Sequence, residues 1–268
     1  MKPIRSILAL ALLAAVPAVG YAQPSAKTSP SPATTTKAPA TTTKSPASTT
    51  TTTTTASTSA ASARTDVYHV HFTHAAPGKA AALADALKTP DPTAPMPGHF
   101  IMFRHQEGDS WDYCVVEHLG TKATVDAARP APAGAAATRE ASDGHTDTFV
   151  SGPSWADFTK AMGINEGPGK SAIYIVSVYR ATPGHREQLD SAISTVAPGD
   201  PAAGTVVMQH LEGAAWTFFG IARYATWEDF VKSETSSLAD QAKSTGSWAA
   251  FREHCSYHTD TLADRIAP

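Results

Sequence analysis

Only two cysteines, Cys114 and Cys255, occur in 268 residues, too few for a disulfide-stapled scaffold. One falls in a strand pattern and the other in a helical one, so they read as two buried free thiols rather than a bridge. No acidic residue precedes Asp66, although six of the 21 basic ones do. The rest of the chain therefore sets fifteen basic against 24 acidic residues, a net charge of −9. That argues against nucleic acid as a partner, because neutralising phosphates takes clustered Lys and Arg. No apolar run reaches the ~20 residues that a membrane span needs. The run from Ile7 to Val16 follows Lys2 and Arg5 and leads to Gly20-Tyr21-Ala22, the order of a secretory signal peptide. Residues 1–22 are thus expected to be cleaved, leaving an exported protein, periplasmic or secreted, with no membrane span after processing. Phrases for a serine nucleophile, a P-loop, a dinucleotide fold or a zinc protease are also missing, and the corresponding hydrolase and transferase classes lose weight.

Residues 23–65 lack acidic and large aliphatic side chains and are almost wholly Thr, Ser, Ala and Pro with scattered Lys. Such a stretch cannot bury enough apolar surface to offset the entropy of ordering it, and it reads as a disordered tether.

What is present is a phrase used twice. His105-Gln106-Glu107-Gly108-Asp109-Ser110-Trp111 returns as His210-Leu211-Glu212-Gly213-Ala214-Ala215-Trp216, each copy lying between strand-like runs, as a hairpin turn would. A second pair closes each copy. Arg139-Glu140 precedes His145-Thr146-Asp147-Thr148, and Arg252-Glu253 precedes His258-Thr259-Asp260-Thr261, at identical spacing. The copies open on alternating strands, Val67 to Thr73 and Ile173 to Tyr179. Pro77-Gly78 and Pro183-Gly184 then start helices, Thr182 being a plausible N-cap. In copy one the second helical region carries Pro130, Pro132 and Gly134 and should be short or broken. Trp155, Phe158 and Met162 fall at helical spacing in a connector. The boundaries that follow are repeat one at 66–150, connector at 151–170 and repeat two at 171–268.

Each copy then reads β-α-β-β-α-β, an α+β layer with helices on one sheet face. A lone copy of roughly 90 residues would leave its other sheet face bare, so the two are expected to pack sheet to sheet as an intrachain pseudo-dimer. Further self-association stays open. On this order, the Pro-Gly helix starts, the paired His-x-Glu-Gly-x-x-Trp hairpins and the Arg-Glu…His-Thr-Asp-Thr ends, the chain resembles the dimeric α/β-barrel superfamily of ferredoxin-like domains in a fused tandem version, similar to antibiotic-biosynthesis-monooxygenase-like and stress-responsive barrel domains. The resemblance implies several activities, among them cofactor-independent monooxygenases and haem-handling enzymes, and the fold does not select among them.

For chemistry, Tyr68, Val70 and Phe72 are expected beneath the helices. His69, His71 and Thr73 would then point into the inter-sheet space, with Ser177 and Tyr179 across from them. Polar groups in an enclosed space suggest a cavity for a small apolar or aromatic ligand, with His69 and His71 as the acid–base or catalytic candidates. His105, Trp111, His210 and Trp216 would line it, unless the histidines simply serve the turns. His254, one helical turn before His258, would add a second site with Asp260, either a metal set or a helix end. No motif requires a cofactor. Haem or a divalent metal at His69/His71 or His254/His258 is left open, as are a monooxygenase-like enzyme and a non-catalytic, partner-binding module.

Overall fold

Alternation turns into strands that close on themselves. The computed structural model describes residues 63–89, 99–127, 136–164, 172–196, 199–243 and 246–268. The expected signal peptide, nearly all of the expected tether, residues 90–98 and 128–135 and the end of the connector lie outside these residues. The strands are β1 (Asp66–Ala75), β2 (His99–Glu107), β3 (Tyr113–Thr121), β4 (Ser142–Gly152), β5 (Ile173–Ala181), β6 (Gly204–Glu212), β7 (Phe218–Tyr224) and β8 (Cys255–Ala267). They form one closed antiparallel barrel in the order β1-β3-β2-β8-β5-β7-β6-β4. The helices are α1 (Ala80–Lys88), α2 (Lys122–Ala127), α3 (Ala136–Ala141), α4 (Trp155–Met162), α5 (Arg186–Ser194), α6 (Trp227–Lys243) and α7 (Gly246–His254). Either side of α4 the element order is the same, β-α-β-β-α-α-β.

The two faces of β1 are the reverse of the expectation. Tyr68, Val70 and Phe72 share one buried cluster with Ile101, Phe103, Val116, Tyr174, Val176, Met208, Phe219 and Ile221. Those residues come from both halves, so this cluster is the barrel lumen. The helices lie outside. Leu83, Ala84 and Ala141 cover Met102, Tyr113 and Val115, while Leu189 packs with Phe218 and Cys255. His69, His71 and Thr73 therefore face outwards, not into the inter-sheet space. A period of two says which residues share a face and nothing about which face is which. Eight-stranded barrels take their bulkiest apolar side chains inwards because the lumen must be filled.

Smaller corrections follow from backbone geometry. The Pro-Gly pairs are turns ahead of the helices, closed by Lys79 N–H to Ala76 C=O (2.8 Å) and His185 N–H to Thr182 C=O (2.9 Å). Thr182 caps nothing, its hydroxyl donating instead to Glu253 C=O. By contrast Thr226 accepts from Asp229 N–H (3.1 Å) at the start of α6, a capping arrangement visible in Thr226-Trp227-Glu228-Asp229. The fourth strands begin earlier than their apolar ends suggest, taking in His145 and His258. Cys255 consequently opens β8 rather than sitting in a helix. Both cysteines are buried and free. The tether's last residues are docked, with Arg64 making two 2.6 Å hydrogen bonds to Asp190 on α5.

One end of the barrel is stoppered by α4. Phe158 and Met162 are fully buried in the lumen cluster. Two tyrosines, one from each half, hold the helix: Tyr68 OH donates to Pro153 C=O (2.7 Å) and Tyr174 OH to Met162 C=O (2.9 Å). Ser154 caps its start, accepting from Asp157 N–H, as a helix N-cap should.

The repeated phrases turn out to be each other's partners. Gly108 (φ 128°) lies against β8, where an added Cβ would meet Asp260 O at 2.6 Å and Thr261 Cα at 2.8 Å. Gly213 (φ 120°) lies against Asp147 and Thr148 of β4 in the same way. The next amides complete the match, Asp109 N–H donating to Thr261 Oγ1 and Ala214 N–H to Thr148 Oγ1, both at 3.2 Å. A side chain here meets both a positive φ and a backbone wall. Gly108→Ala and Gly213→Ala should each cost at least about 1–3 kcal/mol, read from denaturant midpoints. Losses below roughly 0.5 kcal/mol, the scale of ordinary surface changes, would mean the hairpins are not clamped.

Candidate functional site

Two places on the barrel carry chemistry. The first is the end opposite α4, where the two hairpins meet. A hollow of about 260 Å³ opens there, lined by Phe72, Trp111, Val178, Trp216 and Tyr257 with Thr146, His74, Arg180 and Asp109 among its polar members. Both halves contribute an aromatic hairpin residue. Trp111 and Trp216 are in turn met edge-on by His105 (5.7 Å between ring centroids) and His210 (5.5 Å). The Nε2 atoms of His105 and His210 are buried with no hydrogen-bond partner. Arg180 donates to Ala215 C=O (2.7 Å) and lies over the Tyr257 ring, so its guanidinium is held at the rim. A wider groove of about 980 Å³ runs beside Tyr174, Trp227 and the end of β8, and its lining includes none of the candidate site residues expected from sequence.

The second place is the outer face of the first half. β1 and β4 pair so that His69 is opposite Phe149, His71 opposite Asp147 and Thr73 opposite His145. Alternation puts all six on the same face, with Glu117 joining from β3 opposite His69. Protonated His69 donates from Nδ1 to Glu117 Oε2 and from Nε2 to Asp147 Oδ1, both 2.9 Å. Burial works against its charge, yet the hydrogen bonds and charges of Asp147 and Glu117 prevail and push its pKa up to about 9. His71 moves the other way, lowered chiefly by burial and further by the neighbouring imidazoles, against the pull of Asp147 and Glu117. The His69 hydrogen bond holds the Asp147 carboxyl below the usual range against its own desolvation. His145 meets the His71 ring edge-on at 5.2 Å and lies 3.1 Å from Asp147 Oδ2.

The remaining expected site residues are dispersed. Thr73 is buried, its hydroxyl bound to Ser142 Oγ and Gly144 C=O (3.2 Å each). Ser177 donates to Asp260 Oδ1 at 2.6 Å on the outside of the second half. Tyr179 lies outside the lumen against Phe251 and His258. His254 and His258 do not share a helix face, because the chain passes from α7 to β8 between them. His254 Nδ1 pairs with His185 Nδ1 (2.9 Å), and His258 Nδ1 accepts from Arg252 (3.2 Å). Glu117 was missed in the sequence, since it bears no repeat and only the β1–β3 register brings it to His69. Tyr257 and Phe72 were likewise missed as mouth residues.

No family model and no curated protein matches the chain. Among solved structures, an anthrone oxidase-like protein superposes with a TM-score of 0.50 at 12% identity, over 75% of this chain and 92% of that one. A candidate monooxygenase from Lactobacillus acidophilus gives 0.45 at 10% identity, over 75% of this chain and 94% of that one. The first is a likeness of fold alone.

The two neighbouring imidazoles set opposite pH slopes. His69, raised above its unfolded value, adds stability that is complete below about pH 6.5 and is lost as pH rises through about 9. His71, lowered, adds stability above its unfolded value that is lost as pH falls. Stability measured by denaturation across pH 5–10 on metal-free protein should therefore decline on both sides. His69→Gln should flatten the alkaline limb and, by removing one of the charges that lower His71, reduce the acid limb without abolishing it, since burial remains its main cause. An unchanged alkaline limb would show that His69 is not the group held charged.

Proposed function

We propose that this chain is a fused pair of ferredoxin-like units, exported after removal of residues 1–22, whose shared barrel binds a small aromatic molecule at its open mouth. One observation carries the reading. The lumen is filled with side chains and closed by α4, whereas the opposite end keeps a hollow of about 260 Å³ walled by Trp111, Trp216, Phe72 and Tyr257. That volume sits just under the ~300 Å³ at which ligand clefts begin, a size for one or two rings. Aromatic walls suit offset or edge-on stacking of a flat guest. Arg180 and His74 at the rim suit an oxygen or carboxylate substituent. On this reading the pocket lies at the mouth rather than mid-barrel as expected, and without His69, His71, Thr73, Ser177 or Tyr179.

The binding is tested by titrating purified protein with 1-naphthol and 1-naphthoate while following tryptophan emission. Saturable quenching is expected, the carboxylate binding more tightly, and Trp216→Ala should weaken it at least tenfold. Linear, non-saturating quenching with both probes up to millimolar concentration would remove the proposal.

A second reading is favoured by the outer-face cluster and by the barrel shared with an anthrone oxidase-like protein. Here the chain is a monooxygenase-like oxidoreductase that brings an electron-rich phenol or anthrone to dioxygen on the face of His71 and His145. The geometry separates this cluster from Trp111 and Tyr179, so the reaction would run outside the lumen. Oxygen uptake with anthrone and dihydroxynaphthalenes should then fall at least tenfold in His71→Ser and stay level in Trp216→Ala. Uptake at the buffer rate with every substrate would end this reading and leave the first untouched.

A further inference from the structure

The outer face of the first half brings together a donor set that neither reading uses as such. His71 stands opposite Asp147 in the β1–β4 ladder, and His145 is two residues from Asp147 on the same face. One ligand atom from each of His71, His145 and Asp147 lies within 4.8 Å of the others. We infer that these three side chains form a site for a single divalent transition-metal ion. Two imidazole nitrogens and one carboxylate oxygen suit zinc or ferrous iron, and suit magnesium and calcium poorly because those prefer all-oxygen shells. Three ligands from one sheet face leave the remaining coordination positions on the solvent side. The side chains of His145 and Asp147 are 53% and 46% exposed, which gives an ion a way in.

A supporting layer is already in place. Asp147 Oδ1 accepts from His69 at 2.9 Å, and Glu117 holds the other nitrogen of that ring at 2.9 Å. This chain fixes the Asp147 carboxylate while Oδ2 faces His145 at 3.1 Å. Hydrogen-bonded carboxylates and imidazoles behind the ligands are what orients a metal site. His69 is thus a positioning residue, not a ligand.

The second half supplies the control. There the register pairs Ser177 with Asp260 and Tyr179 with His258, so Ser177 stands where His71 does. Its hydroxyl binds Asp260 Oδ1 at 2.6 Å. His258 accepts from Arg252 and lies 3.7 Å from Asp260. The second half retains the His-Thr-Asp phrase and loses the third ligand. Of these two equivalent places, only the first-half one holds the full donor set.

The inference rests on geometry alone and stands whichever functional reading holds. Its test uses the exported chain without a histidine tag, stripped by chelator and titrated with Zn²⁺ by calorimetry and with Co²⁺ by visible absorption. One ion per chain is expected, with Co²⁺ bands that Zn²⁺ abolishes. His71→Ser, which installs the second half's own residue, should weaken binding at least tenfold, as should His145→Ala on the exposed strand. His258→Ala should leave it unchanged, and His69→Gln should weaken it by about tenfold while keeping one ion per chain. Far-ultraviolet dichroism checks that each variant folds, and His145→Ala carries the test if His71→Ser does not fold. No saturable binding, binding that survives both first-half variants, or binding that His258→Ala removes would overturn the site.

Discussion

The barrel depends on two places where backbone meets backbone without a side chain between. Gly108 rests on Asp260 and Thr261, and Gly213 on Asp147 and Thr148. These contacts lie beside the two seams at which the halves join. The seams themselves are short and irregular: β4 and β6 share three paired positions with a register shift, and β2 and β8 share five with two shifts. Ladders this brief would leave edge strands exposed to slippage or to pairing with other chains. A hairpin locked onto the partner strand by its glycine and the next amide removes that freedom. The constraint is reciprocal: each half supplies the hairpin that locks one seam and the strand that receives the other.

Closure determines where function can reside. Once eight strands meet, the lumen holds Tyr68, Phe103, Tyr174, Met208, Phe219 and their neighbours, and α4 fills one end with Phe158 and Met162. Close-packed interiors leave little room for a guest. The room left for a guest is at the mouth, where the hairpins diverge, and on the outer face, where the first half's later helices are short. In the first half that face lies open over His145 and Asp147, each about half exposed. In the second, Phe251 of α7 packs on His258 and Tyr179.

The sequence displayed the elements well and their contacts unevenly. Two phrases at fixed spacing revealed the hairpins, and Trp155, Phe158 and Met162 gave α4. That the Glu-Gly turn of one half docks on the Asp-Thr of the other was not legible. A repeat shows what recurs but not which copy meets which. The inversion of β1 has the same root, since alternation is symmetric under exchange of its faces. His254 and His258 misled because a four-residue spacing means one face only while the helix lasts, and this helix ends at His254. Glu117 was invisible for a plainer reason: its significance comes from lying across from His69 in a ladder, and no local pattern encodes that.

Comparing the halves separates what the fold needs from what it merely tolerates. Where the first carries His69, His71 and Glu117, the second carries Ile175, Ser177 and Ala222, and its strands pair without interruption along β5 and β7. The barrel therefore closes with small and apolar residues at these positions. Gathering three imidazoles and two carboxylates on one sheet face costs desolvation, which the carboxylates outweigh at His69 but not at His71. Structure alone gives no reason to bear that cost in one half and avoid it in the other. The proposed metal site would account for that asymmetry, and it lies on the half that departs from its twin.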